Sequence, residues 1–142
     1  MSGISNYESR QGRLKCEVYK AYIFITDFRN FGKFANNKIT AWQADKESCS
    51  FNVAMLGTVK VKLSEKVEAN NVVYSGTAAG NIDFTITVKL SYIDNESSKI
   101  CIALSAHFDP IMKMMADKPV RMFLDMLISE IENFEEWNDI NE

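Results

Sequence analysis

At 142 residues and 46% hydrophobic content, the chain is long enough for one ordinary globular core and short for two, so residues 1–142 are expected to form a single domain. Sixteen Lys and Arg against nineteen Asp and Glu leave a formal charge of −3, without the basic stripe that neutralises a phosphate backbone. A nucleic-acid partner is therefore excluded from the expectations.

The first ten residues, MSGISNYESR, are polar where a signal peptide needs an apolar run. No apolar stretch approaches the roughly 18 to 20 residues that span a bilayer, so a cytoplasmic protein with no integral membrane association is expected. Cys16, Cys49 and Cys101 are odd in number and widely spaced. They fit neither a disulfide framework nor a CxxC pair and read as reduced, structural thiols.

Residues 4 to 14 are polar and extended in pattern, broken near the end by Gly12, and suit a first strand. From Cys16 to Phe34 the period becomes helical, with Val18, Tyr22, Ile25 and Phe28 at three- and four-residue steps and Phe31 and Phe34 extending the face. Asp27, a favoured N-cap, and Gly32, a poor helix interior residue, predict two short helices with a bend between them.

After Lys38 the period is two for about seventy residues, the mark of half-buried antiparallel strands. Phe51, Val53 and Met55 alternate with polar or small residues, as do Val59, Val61 and Leu63. In the run Ile82, Phe84, Ile86, Val88, Leu90, Tyr92, six apolar positions share one phase. Ile100, Ile102, Leu104, Ala106 and Phe108 repeat the pattern across a polar hairpin loop, Asp94 to Ser98. Gly57 and Asn70-Asn71 mark other turns.

Asp109-Pro110 supplies an N-cap followed by proline at the first helical position, a helix start. Pro119 predicts either a kink or a break at Asp117-Lys118 with a second start, because it removes a backbone hydrogen bond and crowds the preceding turn. Beyond it, Val120, Phe123, Leu124, Leu127, Ile128, Ile131 and Phe134 fall within an arc of roughly 140°. Glu132, Glu135, Glu136 and Asp139 crowd the end where the helix dipole disfavours negative charge, so the last residues are expected to fray.

The order is strand, two short helices, about six antiparallel strands and a long helix. The packing it predicts is α+β, a curved antiparallel sheet of six or seven strands wrapped around the C-terminal helix. With Val18-Tyr19 leading to Thr26-Asp27-Phe28-Arg29-Asn30-Phe31, this order resembles the START-like or SRPBCC superfamily, the helix-grip fold of birch-pollen allergens and polyketide cyclases. Segments such as TDFRNFGKF and DPIMKMMADKP are similar to those of small bacterial SRPBCC proteins. The resemblance covers nearly the whole chain. It implies a hydrophobic cavity between sheet and helix and carries no common catalytic residue.

His107 is the only histidine, and strand alternation places it on the outer face beside Lys99 and Ser105. A metal site built on two imidazoles is thereby excluded within one chain. Asp83, Glu65 and Glu68 read as solvated acids, and an N-cap role accounts for Asp27. Gly76-Thr77-Ala78-Ala79-Gly80 lacks the Lys-Ser/Thr ending of a phosphate loop and reads as a strand end and turn. No cofactor, metal or catalytic residue is assigned.

Five of the seven methionines lie between Met112 and Met126. Such side chains adapt to irregular gaps and varied ligands. Met115 and Met126 are candidates to border a cavity, and Met122 falls on the polar side. The leading expectation is a non-enzymatic binder of a small hydrophobic, lipid-like or polyketide-like ligand. Its cavity would be lined by Phe51, Met55, Val61, Phe84, Ile86, Leu104, Phe108, Met115, Phe123 and Leu127. A cyclase- or dehydratase-like enzyme would need a polar group in the same cavity, for which Tyr22, Tyr74 and Tyr92 are the candidates. A third reading is an interaction module with a filled core, homodimeric through an apolar patch at Met112, Met114 and Met122.

Overall fold

The period-two stretch folds as six consecutive antiparallel strands: β3 (Ile39–Ala44), β4 (Ser48–Val53), β5 (Gly57–Val67), β6 (Asn71–Ala78), β7 (Ile82–Asp94) and β8 (Ser97–Phe108). In this computed structural model, described for residues 3–34, 39–53, 57–78, 82–134 and 137, each of these strands pairs with its neighbour in sequence. The chain's first strand is two, β1 (Gly3–Glu8) and β2 (Gly12–Leu14), both laid against β8. Between them Ser9 turns inward, donating its backbone N–H to the Ile102 carbonyl at 2.8 Å and accepting from the Ile102 N–H at 2.9 Å. The polar sequence around residue 10 conceals this double attachment.

Alternation decides which face is inside. Cys49, Phe51, Val59, Val61, Val72, Tyr74, Phe84, Val88, Ile100, Ile102, Leu104 and Phe108 are all buried. Tyr92 departs from the expected phase. It is 64% exposed, beside the hairpin where β7 and β8 shift register between Tyr92 and Asp94. Further shifts at Leu63/Glu65 and Thr40/Gln43 bend the sheet in the way that added residues in a strand do. The β5–β6 turn places Ala69 at φ 56°, a left-handed position unusual for a residue with a Cβ.

The two predicted short helices are α1 (Val18–Ile25) and a 3₁₀ helix (Phe28–Phe34). Asp27 separates them, accepting the Arg29 N–H at 3.0 Å and pairing with the Arg29 guanidinium at 2.6 Å. The side chain of Phe34 lies outside the described residues.

The terminal helix, α2 (Pro110–Asn133), is continuous, so the break expected at Asp117-Lys118 is absent. Its start is as expected, with the Asp109 carboxylate accepting the Met112 N–H at 2.7 Å. Pro119 deprives the Met115 carbonyl of its partner, and Met115 sits on the solvent side, where water can replace that bond. Val120, Leu124, Ile128 and Ile131 are buried against the sheet. At roughly 1.5 to 3 kcal/mol for each fully buried aliphatic side chain, these four outweigh the cost of the proline. Glu135, Glu136 and Asp139 lie outside the described residues.

Candidate functional site

Between the inner sheet face and α2, packing leaves two partly open apolar chambers of about 90 Å³ each. One lies toward α1 and is walled by Phe28, Phe31, Trp42, Tyr74, Met126 and Leu127 among others. Its neighbour, toward Pro119, is walled by aliphatic groups, including Val59, Ala78, Ile82, Leu104 and Val120, with Phe84 and Phe108. Phe51, Val61, Ile86 and Phe123 border both.

The aromatic character of the first chamber follows from the helical segment closing that end. Phe28 lies 5.2 Å from the Tyr74 ring and 5.9 Å from Phe31. Trp42 stacks on Phe51 at 5.5 Å with 27° between the planes. Phe24, Phe134 and Trp137 form a cluster behind this wall, with centroids 4.8 to 5.1 Å apart. Rings at these separations contribute beyond the area they bury.

Tyr74 and Cys49 bring polar groups to the walls of the first chamber. The Tyr74 hydroxyl donates to the Ile25 carbonyl, and burial pushes its pKa up. Burial likewise pushes the Cys49 thiol up to about 12, so it is protonated and a poor nucleophile at neutral pH. Of the other tyrosines considered for proton transfer, Tyr22 borders neither chamber and Tyr92 faces solvent. Among the described residues, no group of three or more His, Cys, Asp or Glu is arranged to hold a metal ion.

Two polar clasps hold α2 over the chambers. Near Pro119, the buried Tyr7 donates its hydroxyl to Asp117, while Arg121 lies over the Tyr7 ring at 5.3 Å and Lys113 reaches Asp117 at 3.2 Å. Burial, then the hydrogen bond to Asp117, pushes the Tyr7 pKa up to about 12, and the same bond holds the Asp117 carboxyl below its usual range. At the far end Glu132 pairs with Arg10 at 2.6 Å and accepts the Arg13 N–H at 2.9 Å. Arg10 holds Glu132 below the usual carboxylate range.

Gly76 shapes the second chamber from behind. It lies opposite Phe84 in the β6–β7 register, and a Cβ there would sit 2.5 Å from both the Lys60 carbonyl oxygen and the Phe84 ring. Only glycine lets that ring lie across β6. Thr77 and Ala78 complete β6, and residues 79 and 80, the end of the small-residue stretch, are outside the described residues. A larger, open trough of about 1240 Å³ crosses the outer sheet face and is lined by Asn6, Lys60, Lys62, Thr77, Asp83 and His107 among others. This is where alternation puts the single histidine, among solvated polar groups.

Of the ten side chains expected to line a cavity, eight border the chambers. Phe51, Val61, Ile86 and Phe123 border both, Phe84, Leu104 and Phe108 the second, and Leu127 the first. Met115 does not: it is 54% exposed and borders neither. It precedes Phe123 by eight residues, about 80° around the helix at about 100° per residue, and Ala116 takes the inward position. Met55 lies outside the described residues. Phe28, Phe31, Trp42 and Cys49 were legible only as core. Cys49 stands two residues before Phe51, a spacing that already put it on the same strand face.

No protein-family model and no curated protein matches the chain. Solved structures do. A START superfamily protein from Mycobacterium smegmatis is similar with a TM-score of 0.62 and 10% identity, over 91% of this chain and 97% of that one. Norcoclaurine synthase from Thalictrum flavum gives 0.66 and 8%, over 94% and 89%. A conserved protein from Geobacillus kaustophilus gives 0.68 and 11%, over 98% and 96%.

The chain has the START-like helix-grip fold. At such identities the likeness reaches the backbone and not the side chains of a site. The interior of this chain holds one chamber rich in aromatic rings and one walled mostly by aliphatic groups. No helix among its described residues is long and apolar enough to cross a membrane.

Proposed function

We propose that residues 1–142 act as one domain that binds a small apolar ligand between the sheet and α2 without chemical change to it. The observation carrying this reading is the pair of apolar chambers separated by only four side chains, since interiors packed to ordinary density leave few voids larger than a water. Size limits the ligand. Each chamber is well below the roughly 300 to 1,000 Å³ of typical ligand sites. A long lipid is therefore disfavoured, and a single-ring or short-chain compound that displaces wall side chains suits the space better. The bonded Tyr74 hydroxyl and the protonated Cys49 thiol favour carriage over catalysis. Three unpaired thiols suit the cytoplasm.

Solvent extraction of the purified protein with mass spectrometry, combined with thermal shifts on adding toluene or short alkanes, tests the reading. A ligand that binds only the folded state raises the melting temperature as its concentration passes Kd. No extracted apolar compound, and a melting temperature unmoved by saturating toluene or alkane, would overturn it.

The exposed apolar side of α2 favours a second reading, a homodimeric interaction module. Ile111, Met114 and Met122 are 74%, 82% and 47% exposed there, whereas Met112 is partly buried against the core. Strictly monomeric light scattering across concentration would remove that reading.

A further inference from the structure

The two chambers meet at a wall of four side chains, and these differ in how freely they move. Val61 and Ile86 are β-branched residues on β5 and β7, with a restricted choice of χ1. Phe51 is held by its stack on Trp42. Phe123 is half-buried on α2, one turn past Pro119, and makes no ring contact among the described residues. Turning it breaks no stack and meets no branch at its own Cβ.

We propose that Phe123 is the partition that sets the length of ligand the interior accepts. With the ring in place, each chamber of about 90 Å³ is smaller than the engineered cavity of about 150 Å³ that holds benzene, so each takes a xenon atom or a few carbons. With the ring turned aside, the chambers join into one channel, on the order of the 300 Å³ at which ligand sites begin.

The two ends of that channel differ in chemistry. Phe28, Phe31, Trp42 and Tyr74 surround one end and offer the edge-to-face and offset contacts that rings prefer. Val59, Ile82, Leu104 and Val120 line most of the other with aliphatic surface, which the Phe84 and Phe108 rings complete. The ligand class that matches both is a single aromatic ring bearing a short unbranched alkyl chain, with the ring toward α1 and the chain toward Pro119. This inference rests on the reading of the interior as a ligand site.

The test titrates toluene, butylbenzene and hexylbenzene against the wild type, Phe123→Ala, Phe123→Leu and Phe123→Trp, with xenon-pressurised crystals of the wild type alongside. Phe123→Ala should bind butylbenzene at least tenfold more tightly than the wild type, with a smaller gain for toluene, which fills less of the joined channel. Phe123→Leu, which keeps an apolar side chain should the alanine variant fold poorly, should give an intermediate gain, and Phe123→Trp should weaken butylbenzene. Xenon should occupy both chambers of the wild type. If xenon enters the chambers but butylbenzene affinity is the same in the wild type and the folded Phe123→Ala or Phe123→Leu variant, the partition is wrong and the ligand site stands. If neither xenon nor any alkylbenzene binds any variant, the ligand site fails and the partition with it.

Discussion

The two halves of α2 are held to the protein by different physics. From Pro110 to Lys118 the helix buries only Ala116 fully, and exposes Ile111, Met114 and Met115. What fixes this half is polar: the Asp109 cap and the Lys113–Asp117 pair within the helix, and the Tyr7–Asp117 clasp to β1. From Val120 to Asn133 the helix buries Val120, Leu124, Ile128 and Ile131, and packing fixes it. One regular helix thus joins a segment formed by its end signals to a segment formed by its apolar stripe. Methionine content does not distinguish inside from outside.

Alanine truncation should separate the halves most sharply. Leu124→Ala removes a side chain that is 2% exposed and should cost about 3 kcal/mol, within the range for buried Leu truncations. Met114→Ala, on the outward face, should change stability by less than about 0.5 kcal/mol. Urea denaturation of the two variants checks this. Comparable losses would mean that the outward methionines are covered in solution, as the interaction-module reading requires.

The same contrast explains what the sequence disclosed. Period-two strands and the stripe from Val120 to Phe134 were readable because burial on one face leaves a repeating signal, and Phe84, Ile86, Leu104, Phe123 and Leu127 follow from it directly. Met115 was misplaced because a methionine-rich turn carries no phase of its own. The stripe extended backward runs through Ala116, whose small side chain is a weak marker. The break at Asp117-Lys118, one of the two alternatives that Pro119 suggested, did not form, because packing after it and the cap and clasp before it outweigh one lost hydrogen bond. The aromatic chamber was not legible, since it joins Phe28 and Phe31 to Trp42 and Tyr74 across the fold, contacts that no local spacing encodes. The clasps were hidden for the same reason: Tyr7 and Asp117 are 110 residues apart.

Pro119 is the joint between the halves, and replacing it should shift the balance between them. Pro119→Ala restores an N–H that can reach the Met115 carbonyl and removes a residue about 3 kcal/mol less favourable than alanine within a helix. The proline ring also borders the second chamber, so part of that gain is lost with its packing. A net stabilisation of about 1 to 2 kcal/mol is expected, with slower amide exchange in the first half of α2. A destabilised variant would show that the ring's packing in the chamber outweighs its cost to the helix.

The smallest expected effect is that of acid, and it too should divide the halves. Asp117 and Glu132 have folded pKa values below their ordinary 3.8 and 4.5, so each stabilises the fold fully above its ordinary value and loses that contribution as pH falls through the depressed one. Asp27, Asp45 and Asp94 are depressed as well and push stability in the same direction, so only differences between wild type and variants assign the clasps. Glu132→Gln should cost under about 1 kcal/mol at neutral pH and flatten the acid limb of the stability curve. Asp117→Asn should flatten it at lower pH, in keeping with aspartate's lower ordinary value. Protonating Asp117 leaves the first half of α2 with little besides its N-cap, because only Ala116 is fully buried there. Protonating Glu132 leaves four buried side chains holding the second half. Amide exchange in acid should therefore accelerate from Met112 to Lys118 before it does from Leu124 to Ile131. Uniform acceleration along the helix would mean that the halves are held alike, and the contrast between clasp and core would fail.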